Sequence, residues 1–304
     1  MAMSRNQFRK QLAPGLNTLF GLDYKQFPEE WRSAYPQIES SNRAYEEDQL
    51  VSGFGKAPVK GEGAGVQYDN ASEVWTARYN MKTVALAYSI TEEAIEDNLY
   101  GSVAKKYSKA LVRSLKHTKE IEGAAIFNNG FSSSYPGGDG KPLFATDHPL
   151  YGGGTFSNTL PTAADFSEAA LEDAMVAIGN FVDERGIPMN VQARKLILPN
   201  ATIMFDAFRV LKSDLRSGTN DNDPNALRQM GYLPDGMAIL HRLTDDDSWF
   251  IITDCQDGLK HFVRKPVQTA TEGEFNTGNI RYKAWERYAF GWTDPRGAFG
   301  VQGQ

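Results

Sequence analysis

Apolar side chains between residues 91 and 127 recur every three or four positions, as they do on one face of a helix. This stripe predicts a helix over 91–127, and Ser89 and Glu92 have the spacing of a capping box at its start. A helix of about 35 residues is about 50 Å long, several times the usual length, which favours a structural beam over an ordinary core helix. The stripe consists of Ile95, Leu99, Val103, Tyr107, Leu111, Leu115 and Thr118.

Further helical and strand-like patterns lie on both sides of this helix in the sequence. A second helix is predicted over 165–185, because Gly186 and Pro188 end its apolar face, and a third over 201–213. Stretches rich in β-branched and aromatic residues predict strands at 74–79, 83–90, 193–200, 237–243, 248–254, 259–266 and 279–292. This order of helices and strands indicates an α+β fold.

Two segments near the N-terminus show neither the hydrophobic period of a helix nor the strand-like composition described above. Over residues 1–45, apolar side chains are scattered among prolines, which predicts an arm that docks on its own body or on a neighbouring copy; an ordinary N-terminal extension is the alternative. Residues 46–72 contain glycines at 53, 55, 61, 63 and 65 and few large apolar residues. A long polar loop between strand-like segments predicts a projecting excursion, since such loops are uncommon in compact domains without a function.

Composition narrows the class of protein. Of 304 residues, 41% are hydrophobic and 23% charged, as in a globular chain. The net charge of −6 and the absence of a polybasic run argue against a dedicated nucleic-acid binder. Cys255 is the only cysteine, so no internal disulfide forms. The sequence has no apolar run of membrane-spanning length and no signal-peptide pattern, and we expect a soluble cytoplasmic product.

The glycine-rich stretch 127–160 is the first candidate for a ligand-binding or catalytic site. It lacks the spacing of a phosphate-binding loop, because Pro142 follows Gly140 and Lys141 where a serine or threonine is required. Asp147 and His148 offer a hydrolase site as an alternative, although residues adjacent in sequence rarely orient each other as a catalytic pair. A turn, in which the aspartate binds nearby backbone, is the simpler interpretation.

Metal and cofactor patterns are also incomplete. The four histidines lack zinc-site spacing, and the calcium-like start at Asp221 has Ala226 where glycine is required and Tyr232 where glutamate is required. We therefore predict no catalytic, cofactor-binding or metal-binding residues. The distinctive features are instead an arm, a projecting loop and a long helix.

Several stretches resemble the major head (capsid) subunit of Mu-like tailed phages, within the tailed-phage and herpesvirus capsid fold. They are KHTKEIEGAAIFNNGF (116–131), DGKPLFATDHP (139–149), DERGIPMNVQARKLILPN (183–200), MGYLPDG (230–236) and RYKAWERYAFGWTDPRGAFG (281–300). The resemblance covers most of the chain beyond about residue 40. None of the stretches is a general motif, and it is their combination that is specific to this family.

The resemblance implies a division of the chain. It implies an N-terminal arm (1–45), an extended E-loop (46–78), a peripheral P-domain with a spine helix (79–139), most of an axial A-domain (140–254) and a β-rich return to the P-domain (255–304). It further implies E-loop residues that contact other subunits, namely Gly53, Phe54, Lys56, Lys60 and Gly63. Glycines that permit a swing between precursor and mature shells are expected at Gly130, Gly137 and Gly138. Covalent locking through an E-loop lysine, known in some members, is not carried over to this chain.

The function implied is self-assembly through pentamers and hexamers into an icosahedral shell around phage DNA. Scaffolding protein, portal and maturation protease are the expected partners, and double-stranded DNA is expected to be contacted without sequence specificity. The expected location is the virion capsid, with assembly in the host cytoplasm. An encapsulin-like compartment shell with the same fold is the alternative within the structural class.

Overall fold

The computed structural model describes residues 17–18, 20–63, 65–91, 93, 100–215, 224–274 and 278–303. The helices are α1 (Tyr100–Asn128), α2 (Glu168–Gly179), α3 (Ile203–Lys212) and α4 (Ala226–Gln229). Residues 20–26 are also helical, and short 3-10 turns lie at Glu30–Ser33 and Pro295–Gly297.

Within the described residues, the strands form two four-stranded sheets and two two-stranded hairpins. The first sheet has the order β1-β10-β11-β4 and the second has the order β12-β9-β7-β8, while β2 pairs with β3 and β5 with β6. The strands are β1 (Gln37–Ser40), β2 (Tyr45–Val51), β3 (Glu73–Asn80), β4 (Lys82–Ile90), β5 (His148–Pro149), β6 (Thr155–Phe156), β7 (Ala193–Pro199), β8 (Met237–Leu240), β9 (Trp249–Thr253), β10 (Leu259–Gly273), β11 (Ile280–Trp292) and β12 (Ala298–Val301).

The long helix α1 packs against the first sheet. Leu111, Val112 and Leu115 are buried with Ile90 and Tyr282 of the sheet. The described helix has 29 residues, which corresponds to about 43 Å. The predicted capping box is wrong at its first residue, because Ser89 lies in β4 opposite Arg281. Residues 92 and 94–99, where the stripe was predicted to begin, lie outside the described residues.

Helices α2 and α3 cover the second sheet and form the largest buried cluster with it. The Ser167 side chain accepts a hydrogen bond from the Ala170 amide at 3.1 Å and caps α2. The predicted extension of α2 to residue 185 is wrong. The helix ends at Gly179, and a bridge between Val182 and Pro188 closes a turn in place of further helix.

The described part of the predicted arm docks on its own body. Trp31 is buried with ring centroids 4.4 Å from His261 and 5.4 Å from Phe290, and the Tyr35 hydroxyl donates to the Gly123 carbonyl at 2.7 Å. Strand β1 then extends the first sheet by pairing in parallel with β10. Of the predicted return segment 255–304, β10 and β11 lie in the first sheet, whereas β12 pairs with β9 in the second.

Candidate assembly surfaces

The β2–β3 hairpin carries a long irregular tip. Between Val51 and Glu73 the described residues form no strand or helix, and Gly53 and Gly63 adopt the positive φ angles of 64° and 75° that favour glycine. Val59 and Tyr68 are 100% and 96% exposed. The five residues predicted to contact other subunits, Gly53, Phe54, Lys56, Lys60 and Gly63, all lie on this tip.

Hydrogen bonds restrict the part of the tip nearest the strands, where the Ser52 amide donates to the Ser72 carbonyl at 2.8 Å. The Asp69 carboxylate accepts the Gly55 amide at 2.7 Å and the Asn70 amide at 2.8 Å. These hydrogen bonds stabilise the charged form of the Asp69 carboxyl and so lower its pKa, and the bond from Gly55 has the largest effect. Most residues of the tip are apolar or glycine and face solvent. The hydrogen bonds join its two sides only at the base of the tip, where it meets strands β2 and β3.

The root of the hairpin, in contrast, is fixed to the first sheet by charge. The Lys260 ammonium, 5% exposed, contacts Asp48 of β2 and lies 2.7 Å from Asp257. Burial opposes this charge, but hydrogen bonds to Asp257 and Asp48 outweigh that effect and raise the pKa of Lys260. The hairpin is thus held by a buried cation that loses its Asp48 partner if β2 moves.

A second set of hydrogen bonds reinforces the root. The Thr293 hydroxyl donates to Asp48 at 2.7 Å and therefore accepts from the Tyr79 hydroxyl, 2.5 Å away. The Trp75 indole donates to the Thr293 carbonyl at 3.1 Å. Both strands of the hairpin are in this way tied to the residue that follows β11.

Two loops beside the second sheet also touch the hairpin base. The Tyr151 hydroxyl donates to the Ser72 hydroxyl at 3.0 Å, and Arg185 donates to the Asn70 carbonyl at 2.7 Å. The Arg185 guanidinium lies 5.3 Å from the centre of the Tyr151 ring. The base of the hairpin therefore bridges the parts of the chain that carry the two sheets.

The three glycines predicted as hinges occupy crowded positions. A Cβ atom at Gly130 would lie 2.6 Å from the Phe144 ring, and one at Gly138 would lie 2.6 Å from Trp75. At Gly137 the nearest atom would be Trp292 Nε1 at 2.9 Å. Close packing is thus one physical reason for glycine here, while a swing at these positions stays a prediction.

Asp147 and His148 do not contact each other as a catalytic pair. The exposed Asp147 carboxylate pairs with Lys141, whereas the His148 ring is buried with Nδ1 2.5 Å from Asp139 Oδ2. Its Nε2 lies 3.1 Å from the Asn158 amide oxygen and donates to it. This arrangement holds the histidine inside the loop, and it differs from the exposed base that the hydrolase alternative requires.

Asn158 joins this loop to the C-terminal part of the chain. Its amide nitrogen donates to the carbonyls of Leu143, Pro295 and Ala298 at 2.7, 2.9 and 3.1 Å. Its oxygen also accepts the Ala145 amide at 3.0 Å. A single buried side chain therefore satisfies backbone groups from two distant segments.

A buried ion triad lies at the same junction. The Arg296 guanidinium lies 2.7 Å from Glu184 and 3.1 Å from Asp294, and the three side chains are 1%, 3% and 5% exposed. Arg296 Nε also donates to the Val182 carbonyl at 2.7 Å. Burial acts against the charge of Arg296, but Asp294 and Glu184 dominate and raise its pKa. The triad fixes the turn that ends the α2 region.

Within the described ranges, no three His, Cys, Asp or Glu side chains are grouped so as to hold a metal ion. Asp221 and Asp223, which begin the calcium-like pattern, lie outside those ranges. In the part of the chain that the structure describes, no helix is both long enough and apolar enough to cross a membrane.

The sequence matches the model of a protein family described as phage capsid protein over residues 74–301. No curated protein matches the chain by sequence. The matched region extends from β3 to β12 and so includes one of the two hairpin strands and the whole second sheet, whereas β2 precedes it.

Solved structures share the fold at low sequence identity. The virus-like particle from Pyrococcus furiosus aligns with a TM-score of 0.55 and 10% identity over 95% of this chain and 98% of that chain. The procapsid of bacteriophage JBD30 aligns with a TM-score of 0.54 and 14% identity over 99% and 77%. The capsid of cyanophage P-SCSP1u aligns with a TM-score of 0.55 and 10% identity over 88% and 86%. The predicted α+β capsid fold is confirmed, while the division into named domains and the Mu-like branch stay predictions.

Proposed function

The chain belongs to the phage capsid protein family, and we propose that its copies assemble through pentamers and hexamers into an icosahedral shell that encloses phage DNA. The observation that carries this proposal is the contrast within the β2–β3 hairpin. Its root is tied to the body by Lys260, whereas Phe54, Val59, Val66 and Tyr68 of its tip are exposed. Exposed apolar side chains on a projecting segment are typical of a protein–protein contact.

We assign the E-loop role to this hairpin, and the spine-helix role to α1. In this proposal the tip becomes ordered on a neighbouring subunit, and the second sheet with α2 and α3 forms the axial part of each pentamer or hexamer. Contacts between different surfaces of identical subunits close into rings, as this assembly requires. Scaffolding protein, portal and maturation protease complete the proposed set of partners, and assembly takes place in the host cytoplasm.

Deletion of residues 53–65 tests the proposal. The deletion joins Ser52 to Val66, so that the short loop 66–72 still closes the β2–β3 ladder and the root contacts remain. We expect the thermal unfolding of the subunit to be nearly unchanged, whereas electron microscopy and sedimentation show no shells when it is co-produced with its scaffolding protein. Shells formed as efficiently as by the full chain would contradict the proposal.

A point variant separates the apolar contact from the length of the tip. Phe54→Ser removes one exposed aromatic side chain from the tip, and Tyr135→Ser removes a similarly exposed one from the loop after α1. We expect the first variant to reduce the yield of shells and the second to leave it unchanged. Equal effects would indicate that exposed aromatic residues matter only in general, for example for solubility.

The contents of purified particles distinguish the two kinds of shell. Nuclease-protected DNA inside them supports the phage capsid, whereas particles filled with a co-purifying enzyme support the encapsulin-like alternative.

The hinge proposal has its own test, in which amide hydrogen exchange over residues 127–158 is compared between precursor and expanded shells. Equal protection in both states would remove the swing from the proposal.

A further inference from the structure

The basic residues of this acidic protein are unevenly distributed. The chain has a net charge of −6, yet residues 100–118 contain four lysines and one arginine and no aspartate or glutamate. These residues are spread by helical spacing rather than placed in a run. A helix concentrates such residues on one face when they recur at three or four positions.

Lys106, Lys109 and Arg113 lie on the solvent face of α1. All three are exposed, whereas Leu111, Val112 and Leu115 of the same helix face the first sheet. None of the three forms an ion pair with any residue in the described ranges, in contrast to Lys116 and Lys119, which pair with Glu29 and Glu286. The face therefore carries uncompensated positive charge over about 10 Å of helix.

A groove of about 490 Å³ continues this charge across to a neighbouring loop. Arg113, Lys116, His117 and Arg242 line it, together with Glu30 and Glu120. Arg242 is exposed and has no carboxylate partner among the described residues.

Both carboxylates of the groove are already engaged. Glu120 accepts the amides of Glu30 and Trp31 at 2.9 Å each, and Glu30 lies 2.9 Å from His241 Nδ1. The Lys116 ammonium is likewise held by Glu29. The positive charge that stays without a partner therefore belongs to Lys106, Lys109, Arg113 and Arg242.

We propose that Lys106, Lys109, Arg113 and Arg242, named here the α1 basic face, bind the phosphate backbone of duplex DNA. Duplex DNA carries about one negative charge per 1.7 Å, so about six phosphates lie along the 10 Å that the face covers. An acidic protein partner is less well matched, because protein interfaces rely on buried aromatic and aliphatic anchors. Tyr107 is the one large apolar side chain exposed between Lys106 and His117. This inference rests on the proposed enclosure of DNA and names the surface that meets it.

The test uses the full chain and a fluorescent 16-base-pair duplex as the probe. Lys106→Gln, Lys109→Gln and Arg113→Gln are combined, and anisotropy measures the Kd between 50 and 300 mM salt. The matched control combines Lys25→Gln, Lys212→Gln and Lys265→Gln, three other exposed lysines, so that both variants lose three positive charges. Circular dichroism confirms that both retain the fold.

We expect the α1 variant to bind the duplex at least about tenfold more weakly at 50 mM salt and to lose about 3 from the slope of log K against log salt. The control variant is expected to bind like the unmodified chain. Equal loss in both variants would show that only net charge matters and would overturn the proposal. Binding of a polyglutamate peptide at this face, with no binding of the duplex, would also overturn it and indicate an acidic protein partner.

The outcome is independent of assembly. Electron microscopy of the same variants reports whether shells form, and the α1 variant is expected to form them. Failure of the DNA contact would leave shell formation intact, whereas failure of the proposed function would show as absence of shells in the unmodified chain.

Discussion

Arg296→Met should destabilise the protein far more than an ordinary surface substitution. The guanidinium is 1% exposed and lies 2.7 Å from Glu184 and 3.1 Å from Asp294, both also buried. Methionine fills a similar volume but leaves two carboxylates in the interior without a cation, and it leaves the Val182 carbonyl without the Nε donor. Removal of one partner from a buried ion pair costs about 3–5 kcal/mol.

We therefore expect the free energy of unfolding to fall by about 4 kcal/mol, a large part of the roughly 5–15 kcal/mol that holds a typical domain. Urea denaturation of the unassembled subunit, followed by tryptophan fluorescence, measures this loss. Arg209→Met is the matched control. Arg209 is 69% exposed and pairs with Asp206 one turn away on α3, so the same substitution should cost at most about 0.5 kcal/mol.

A second variant tests the cause of the loss. If the buried carboxylates left without a cation cause the loss, adding Glu184→Gln to Arg296→Met should restore part of the stability, because a neutral amide is less costly to bury than a carboxylate. The reasoning fails if Arg296→Met costs no more than Arg209→Met, or if the second substitution destabilises the protein further.

Three further predictions follow from single contacts. Burial, above all, raises the pKa of Glu120 to about 7, so the stability that its protonated form contributes is present below pH 4.5 and lost as pH rises through 7. The melting temperature of Glu120→Gln should therefore fall less between pH 5 and 8 than that of the unmodified chain. Parallel curves of melting temperature against pH would contradict this prediction. Gly138→Ala places a Cβ 2.6 Å from Trp75 and should cost about 1–3 kcal/mol in urea denaturation, whereas Gly61→Ala, with nothing within 4 Å, should cost little; equal costs would refute the packing role. Asn158→Ala removes the side-chain donor of the Leu143, Pro295 and Ala298 carbonyls, of which Pro295 keeps the Ala298 amide, and it removes the acceptor of the Ala145 amide and of His148 Nε2. It should cost about 3 kcal/mol or more, and a loss below about 1 kcal/mol would show that the junction tolerates the loss of these hydrogen bonds.

Local patterns in the sequence predict most of the regular elements. The stripe of α1 appears as a helix because Leu111 and Leu115 must face one sheet, and the strand-like composition of 193–200 appears as β7, which is buried along most of its length. Such patterns depend on neighbours within a few positions, so the sequence alone reveals them. The resemblance to capsid subunits supplied the global arrangement, which local periodicity does not contain.

The sites that fix the fold were not predictable in the same way, because their partners lie far apart in the chain. Lys260 meets Asp48 across 212 positions, and Thr293 meets Asp48 across 245. Glu184, in the turn that follows α2, pairs with Arg296, 112 positions away. Three members of the α1 basic face, Lys106, Lys109 and Arg113, are in contrast apparent in the sequence, because they recur at helical spacing although they form no contiguous basic run. The fourth, Arg242, lies far away in the sequence and is brought to them by the fold.

If the hairpin has the proposed role, the division between a fixed root and an exposed tip explains how one chain serves many slightly different positions in a shell. Lys260 sets where the hairpin leaves the body, so that every copy directs its tip in a similar direction. In the proposed assembly the tip becomes ordered only at a neighbour, and the entropy lost in ordering offsets part of the gain from burying Tyr68 and Val59. Each contact is therefore weak and reversible, whereas many contacts in a closed shell act together. A tip already packed in the free subunit would make a stronger single contact, but it would lose the adaptability that pentamers and hexamers require.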